Sequence, residues 1–239
     1  MGKVILIALL IVFLVRCFLI EPYTVSSSGM AASLLNGDRV LVDKTAYGIR
    51  MPVTLLTIPF TFDRFLGMKS YSDAVQLPYK RAFEGRPGAG DIVLYNNPVE
   101  TDLPLDKRML VLNRCAALPG DSVTIEDPAI FYRFAVPYKQ MEIELTEKNL
   151  NLYKQIILSE QEGSANVGRN NRYIDGQVQS AYVFREDYYW MLSDGGKDVP
   201  DSRTLGFSPM KCIIGKARLI WFSSENGNVR WDRCFTTIN

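Results

Sequence analysis

The hydrophobic pattern divides the chain into one unbroken apolar stretch and a longer region of short strand-like runs. Val4 to Ile20, VILIALLIVFLVRCFLI, is apolar or nearly so except for Arg16. Its length of about 17 residues lies near the lower limit for a membrane-spanning helix. Arg16 sits about one turn from the end, where a long side chain reaches the interface. Lys3 and the amino terminus precede the stretch. The positive-inside rule then puts residues 1–3 in the cytoplasm, a transmembrane anchor at 4–20 and residues 21–239 on the far side. Three other readings compete with an uncleaved anchor. A cleaved signal peptide is opposed by Arg16 inside the apolar region, and by the fact that cleavage at Ser26-Ser27-Ser28 would cut the serine cluster. A lipoprotein signal at Cys17 is opposed by Arg16, which stands where a small residue is wanted. A buried soluble helix is the last.

Beyond residue 20 the pattern is β. Arg39 to Val42, Asp91 to Tyr95, Met109 to Leu112, Val123 to Ile125, Tyr188 to Leu192, Ile213 to Phe222 and Val229 to Trp231 are mostly short. They are rich in β-branched or aromatic residues and bounded by Gly, Pro, Asn or Asp. Gly37-Asp38, Gly90-Asp91 and Gly120-Asp121 each precede such a run, with glycine allowing a tight turn and aspartate bonding the following backbone. One helix is predicted at about 146–160, with Thr146 as N-cap and Leu150, Tyr153 and Ile157 at helical spacing. Glu162 to Asp175 is polar and reads as a loop. Thr54 to Ala89 has no sustained period and reads as irregular. The expected fold is mostly β, with one N-terminal transmembrane helix and a small helix-containing insertion over 124–186.

The chain of 239 residues is long enough for one core. A net charge of +1 gives no electrostatic case for nucleic acid as a partner. There is no histidine. That excludes a Ser-His-Asp arrangement and histidine-bound metal, leaving lysine, a carboxylate or tyrosine to move protons. The cysteines, Cys17, Cys115, Cys212 and Cys234, contain no CxxC pair, so no zinc site is expected and no cofactor is called for. A hairpin turning at Glu225 to Asn228 would set Cys234 near Leu219, so a Cys212–Cys234 disulfide requires that simple hairpin to be absent. Tyr188-Tyr189-Trp190 reads as core and groove wall, Trp221 and Trp231 as core or membrane-interface residues, and Lys139 as solvated surface.

Four stretches, in order, resemble bacterial type I signal peptidases. They are FLIEPYTVSSSGMAASLLNGDRVLVDKTAYGIRMP (Phe18 to Pro52), GAGDIVLYNNP (Gly88 to Pro98), LVLNRCAALPGDSV (Leu110 to Val123) and WMLSDGGKDVPDSRTLGF (Trp190 to Phe207). The resemblance implies a mostly β, membrane-anchored peptidase in the inner (cytoplasmic) membrane, with its main domain facing the periplasm. Such enzymes use a serine nucleophile and a lysine held neutral by desolvation as general base. They bind signal peptides in extended form along strand edges.

Position by position the resemblance also implies a loss. The nucleophile position, immediately before Met30, is Gly29. The base position, immediately before Arg114, is Asn113, whose carboxamide accepts no proton usefully. The base-orienting serine of the fourth segment is Val199. The Gly-Asp-Asn-Arg head of that segment is Ser193 to Gly196, which keeps only Asp194, and the Pro-Thr of the first is Ala32-Ser33. Ser27 matches a serine that helps the oxyanion hole in some members. Met30 and Leu34 are expected beside the peptide groove, and Asp201, Ser202 and Arg203 are expected to be structural, with Asp201 and Arg203 paired across a loop. The leading reading is a catalytically inactive pseudo-peptidase of the serine endopeptidase class. It would sit in the lipid bilayer and bind signal peptides or preproteins, or partner an active signal peptidase or export machinery. The alternative is an active signal peptidase with Ser28 as a shifted nucleophile and an unidentified lysine base, for which Lys107 is too far along the chain and Lys197 is better placed. A purely structural membrane protein is the third reading.

Overall fold

The computed structural model describes residues 2–26, 28–54, 64–65, 68–69, 77–127, 130–161, 173–174, 177–178, 180–195 and 199–238. Half of the Thr54 to Ala89 stretch and most of the Glu162 to Asp175 stretch therefore lie outside the described residues. The apolar N-terminus forms α1, Gly2–Phe18, none of whose residues is buried. Its large apolar side chains from Val4 to Leu14 are 39–71% exposed. Seventeen residues rise about 25 Å at about 1.5 Å each, against a hydrocarbon core of about 30 Å. Among the described residues, no helix is long and apolar enough to cross a membrane. The helix stops short of the expected residue 20, because Ile20 already pairs into the sheet.

The strands follow as β1 (Ile20–Thr24), β2 (Asp38–Asp43), β3 (Ile92–Asn96) and β4 (Leu110–Ala117). Then come the hairpin β5 (Ser122–Asp127) and β6 (Ile130–Ala135), β7 (Glu142–Glu144), α2 (Glu147–Glu160) and β8 (Ala181–Val183). The chain closes with β9 (Tyr188–Leu192), α3 (Ser202–Leu205), β10 (Ser208–Pro209), β11 (Ile213–Glu225), β12 (Asn228–Val229) and β13 (Thr236–Thr237). Among the described residues the largest sheet is antiparallel in order β1-β2-β11-β3-β4-β9-β10, with β12 and β13 also paired to β11. Strand β11 organises it. Its Lys216 pairs with Asp43 of β2 on one edge and Val93 of β3 on the other, and register shifts mark three irregularities along it. Bulges of this kind bend and twist a strand, which is how a 13-residue strand serves two neighbours as the sheet curls. Gly215 lies at one shift, where a Cβ would stand 2.3 Å from the Asp43 carbonyl oxygen.

Both faces of the sheet are covered. All five residues of β3 are buried, and they alternate between two cores. Ile92 and Leu94 join Val25, Met30 and Leu34 on one face, while Val93 and Tyr95 join Tyr47, Tyr189 and Met191 on the other. Period-2 alternation sends successive side chains to opposite faces. A strand buried on both sides therefore reads as an unbroken apolar run, as DIVLY does. A third core joins β6, β7, α2, β8 and β9 through Phe134, Ile143, Tyr153, Tyr182 and Trp190. Thr146 caps α2 by accepting the Asn149 amide. At the other end the buried Glu160 carboxylate accepts from the Tyr182 and Tyr188 hydroxyls, each at 2.7 Å, and from the Arg185 amide.

The three Gly-Asp pairs share one geometry. Gly37, Gly90 and Gly120 have φ of 87–92°. The aspartates accept from preceding amides, not following ones: Asp38 from Leu35, Asp91 from Gly88 and Asp121 from Leu118, at 2.8–2.9 Å. Each closes the turn three residues behind it. The C-terminal hairpin turns at Asn226-Gly227, but a 3₁₀ turn at Trp231–Arg233 interrupts it. Leu219 consequently faces Thr237 rather than Cys234, and Cys212 and Cys234 are both free thiols. That 3₁₀ turn delivers Arg233 to the fully buried Asp38 at 2.6 Å, where Ser223 also donates at 2.6 Å. Burial alone would raise the Asp38 pKa; the bonds from Arg233, Ser223 and Leu35 outweigh it and hold the carboxyl below its usual range. Replacing Asp38 by alanine strands these donors and is expected to cost about 3 kcal/mol in denaturant unfolding, the scale for breaking a buried pair.

Candidate functional site

Chain that leaves β1 turns through a 3₁₀ helix at Ser28–Met30 before entering β2. Met30, 2% exposed, and Leu34, fully buried, plug this turn into the core beneath the sheet. The side chains expected beside the groove thus anchor the turn from below, and its outer surface is formed by the exposed Ser28, Ala31 and Ala32. Gly29 is buried, and its carbonyl accepts the Gly195 amide at 2.8 Å. A Cβ on Gly195 would stand 1.9 Å from the Ser28 carbonyl oxygen. Only glycine lets the segment after β9 lie backbone against backbone on this turn. Ser27 and Lys197 lie outside the described residues.

One ion pair fixes this approach. The Arg114 guanidinium, on β4, meets Asp194 at 2.7 Å, donates to Ser33 Oγ at 2.8 Å and donates to the Gly90 carbonyl at 2.7 Å. Ser33 in turn donates to Asp194 Oδ2 at 2.7 Å. Ser33, Gly90, Arg114 and Asp194 come one from each of the four sequence segments. The Arg114 hydrogen bond, opposed by burial and aided by Ser33, holds the Asp194 carboxyl below its usual range. The same bond pushes the Arg114 pKa up, so this guanidinium cannot serve as a base.

Asn113 lies next to Arg114 and leaves the opposite face of β4. It is 1% exposed, and its Nδ2 donates to the Pro200 carbonyl at 3.1 Å. Its Oδ1 has no hydrogen-bond partner among the described residues. Val199 is part-buried beside Pro200. The segment from Ser193 to Asp201 therefore touches the turn at Gly195 and the Asn113 carboxamide at Pro200. Asp201, fully buried, caps α3 and forms a bidentate pair with Arg203, while its Oδ2 accepts the Ser193 amide. Ser202 accepts the Met191 amide at 2.8 Å. Neither side chain is free to take part in chemistry.

Among the described residues no nucleophile and base meet here. Gly29 offers no side chain and Asn113 no basic nitrogen. Ser28 is exposed, and no lysine is bonded to it among the described residues. Lys107 ends a 3₁₀ turn before β4, Lys44 is engaged by Glu21 at 2.9 Å and Lys216 by Asp91 at 2.5 Å. Cys115 on β4 is no substitute, since burial pushes its thiol pKa up to about 12. Among the described residues no cluster fit to hold a metal occurs. The role of Ser33 was legible only as a departure from the first segment's Pro-Thr. Its bonds to Asp194 and Arg114 span residues far apart in sequence, and no local pattern announces them.

A scaffold that gathers these four segments around one turn is that of a signal-peptidase-like protein. Residues 1–222 match the family model described as signal peptidase, peptidase S26, and the chain belongs to that family. Signal peptidase I of Rickettsia rickettsii is 30% identical, across 96% of this chain and 80% of its own length. That of Rickettsia bellii (strain OSU 85-389) is 27% identical across 99% and 77%, and that of Buchnera aphidicola subsp. Schizaphis graminum 25% across 92% and 74%.

Two substitutions test the clamp. Asp194→Ala is expected to lower stability by about 1–3 kcal/mol, because a part-buried Arg114 loses its partner. A carboxylate with a depressed pKa stabilises above the ordinary aspartate pKa of about 3.9 and loses that contribution as pH falls through its folded value. Thermal melts below about pH 4 should therefore flatten in the variant relative to the parent. Gly195→Ala is expected to cost about 2 kcal/mol by driving a methyl group into the Ser28 backbone, with hydrogen exchange rising at residues 28–34.

Proposed function

We propose that the chain is a catalytically inactive signal peptidase homologue that binds signal peptides or preproteins in support of signal-peptide processing or protein export. The observation that carries this reading is the coexistence of an intact frame and an empty chemistry. The Arg114–Asp194–Ser33 clamp, with the Gly90 carbonyl that Arg114 also meets, joins all four segments, while Gly29, Asn113 and Val199 occupy the three positions that the family uses for nucleophile, base and base orientation. The burial that would drive a lysine toward its neutral form is present at residue 113. A carboxamide cannot exploit it. Membrane anchoring belongs to the same reading. α1 exposes apolar side chains along its length and, at about 25 Å, is accommodated by local bilayer thinning or by flanking residues that reach the interface. The main domain then stands on the periplasmic side, where an active signal peptidase or export machinery is the natural partner.

One observation favours the alternative, an active enzyme using Ser28. Residues 28–30 form a 3₁₀ turn and not a strand, so a one-residue shift does not invert the side chain as it would in a pleat. Incubating the purified full-length chain in detergent with a radiolabelled preprotein separates the two. No mature product is expected. Product that appears with the parent and disappears with Ser28→Ala overturns the inactive reading. A photo-crosslinker placed at the exposed Ala32 is expected to capture a synthetic signal peptide. Failure to capture it, with an unchanged circular dichroism spectrum, favours a purely structural role.

A further inference from the structure

Away from Gly29 and Asn113, a cleft of about 1020 Å³ opens between α2, the β5–β6 hairpin and the β9–α3–β10 corner. Its floor is aromatic. Phe134, Trp190 and Phe207 pack edge to face, with ring centroids 4.9–5.5 Å apart. Interlocked rings make a rigid apolar seat that loses little freedom when covered. One wall is α2, which presents Asn151, Gln155 and Ser159 to the cleft at four-residue spacing. Asn151 and Gln155 are exposed, and neither carboxamide is hydrogen-bonded among the described residues. The Ser159 hydroxyl donates to the Ile156 carbonyl and keeps its acceptor capacity.

The spacing of this polar row is informative. Four helical residues rise about 6 Å, and two residues of extended chain span about 6.6–6.8 Å. Carboxamides repeating at that interval meet alternate peptide units of an extended chain laid along α2. A lipid tail has no groups to match them.

Among the described residues the charge lining the cleft is of one sign: Arg108, Arg203 and Lys211 border it, and no Asp or Glu does. Arg203 is held by Asp201 and Lys211 by Glu186. Arg108 donates to the Leu103 carbonyl at 3.1 Å and has no carboxylate partner among the described residues. It also stands where a second cleft, of about 470 Å³, joins the first, the two sharing Thr101, Arg108 and Lys211. Asp102 borders only that second cleft. A part-buried guanidinium without a carboxylate partner among the described residues, beside an apolar floor, favours a ligand that supplies both a carboxylate and apolar side chains.

We propose that this cleft binds an extended peptide segment in which apolar side chains are followed by acidic ones. The apolar side chains seat on Phe134, Trp190 and Phe207, the backbone bonds to Asn151 and Gln155, and a carboxylate pairs with Arg108. The site is separate from the turn at Ser28–Met30, so its failure leaves the reading of that turn unchanged.

The test is fluorescence anisotropy on the full-length chain in neutral detergent, with fluorescein-labelled Ser-Leu-Ser-Phe-Glu-Glu and its Lys-Lys counterpart as probes. The acidic peptide is expected to bind at least tenfold more tightly. Arg108→Glu should weaken it at least tenfold, Gln155→Trp should block the cleft from a surface position that does not threaten folding, and Lys139→Glu should leave binding unchanged. Equal binding of both peptides, no binding of either, or insensitivity to Arg108→Glu and Gln155→Trp overturns the proposal. Binding to phosphatidylglycerol nanodiscs that is lost in Arg108→Glu, with no peptide binding, overturns it in favour of a lipid.

Discussion

The contact on which the site depends is the ion pair between Arg114 and Asp194, with Ser33 bonded to both. Each partner alone is a poor constraint. Arginine has a long flexible stem, Asp194 lies between β9 and α3, and Ser33 lies in a connection between strands. Together they form a closed triangle of charge-assisted bonds, stronger than neutral ones and directional in a way that a lone surface pair is not. The fourth bond, from Arg114 to the Gly90 carbonyl, ties the triangle to the turn that starts β3. Four segments spread between residues 18 and 207 are thus set in register by one guanidinium.

This separates the frame from the chemistry. A nucleophile and a base contribute to a reaction but little to the fold; in the reading proposed above, Gly29 and Asn113 stand in their places without stranding a charge. Replacing Asp194 or Arg114 leaves an unpaired ion. Fold-supporting charges therefore outlast catalytic ones when selection for the reaction is relaxed. Asn113 is consistent with that reading. It satisfies its donor on the Pro200 carbonyl and leaves an acceptor with no partner among the described residues. A position shaped for a different side chain is expected to show such a mismatch.

The sequence made the β character, the strand cores, the cap of α2 and the four segments legible, because each rests on local pattern. DIVLY reads as strand from its β-branched residues, and its burial on both faces appears as the lack of alternation. Other features were hidden for physical reasons. Strand β1 shares its first residue with an apolar run that reads as continuous helix, so the start of the sheet was invisible. The expected aspartate bonds in the Gly-Asp turns ran the wrong way, because composition marks a turn without fixing which amide its carboxylate meets. Met30 and Leu34 were expected beside the groove because the motif surrounds them. Whether a residue in a 3₁₀ turn points up or down depends on what lies beneath, and here that is Val25 and the inner face of β3. The Arg114–Asp194–Ser33 triangle is a purely tertiary fact.

The chain also distributes polar and apolar groups unequally between its two recessed surfaces. At the turn, Ser33, Arg114, Asp194, Asp201 and Ser202 all have partners within the protein. Around the α2 cleft the reverse holds among the described residues, since the Asn151 and Gln155 carboxamides have no hydrogen bond and Arg108 has no carboxylate partner. Desolvating a polar group that is already satisfied gains nothing on binding, whereas pairing an unsatisfied one beside buried apolar surface gains both terms. As proposed, the chain has two separate surfaces for polypeptides, the turn at Ser28–Met30 and the α2 cleft, and the second offers the hydrogen-bonding groups that the first has already committed within the protein.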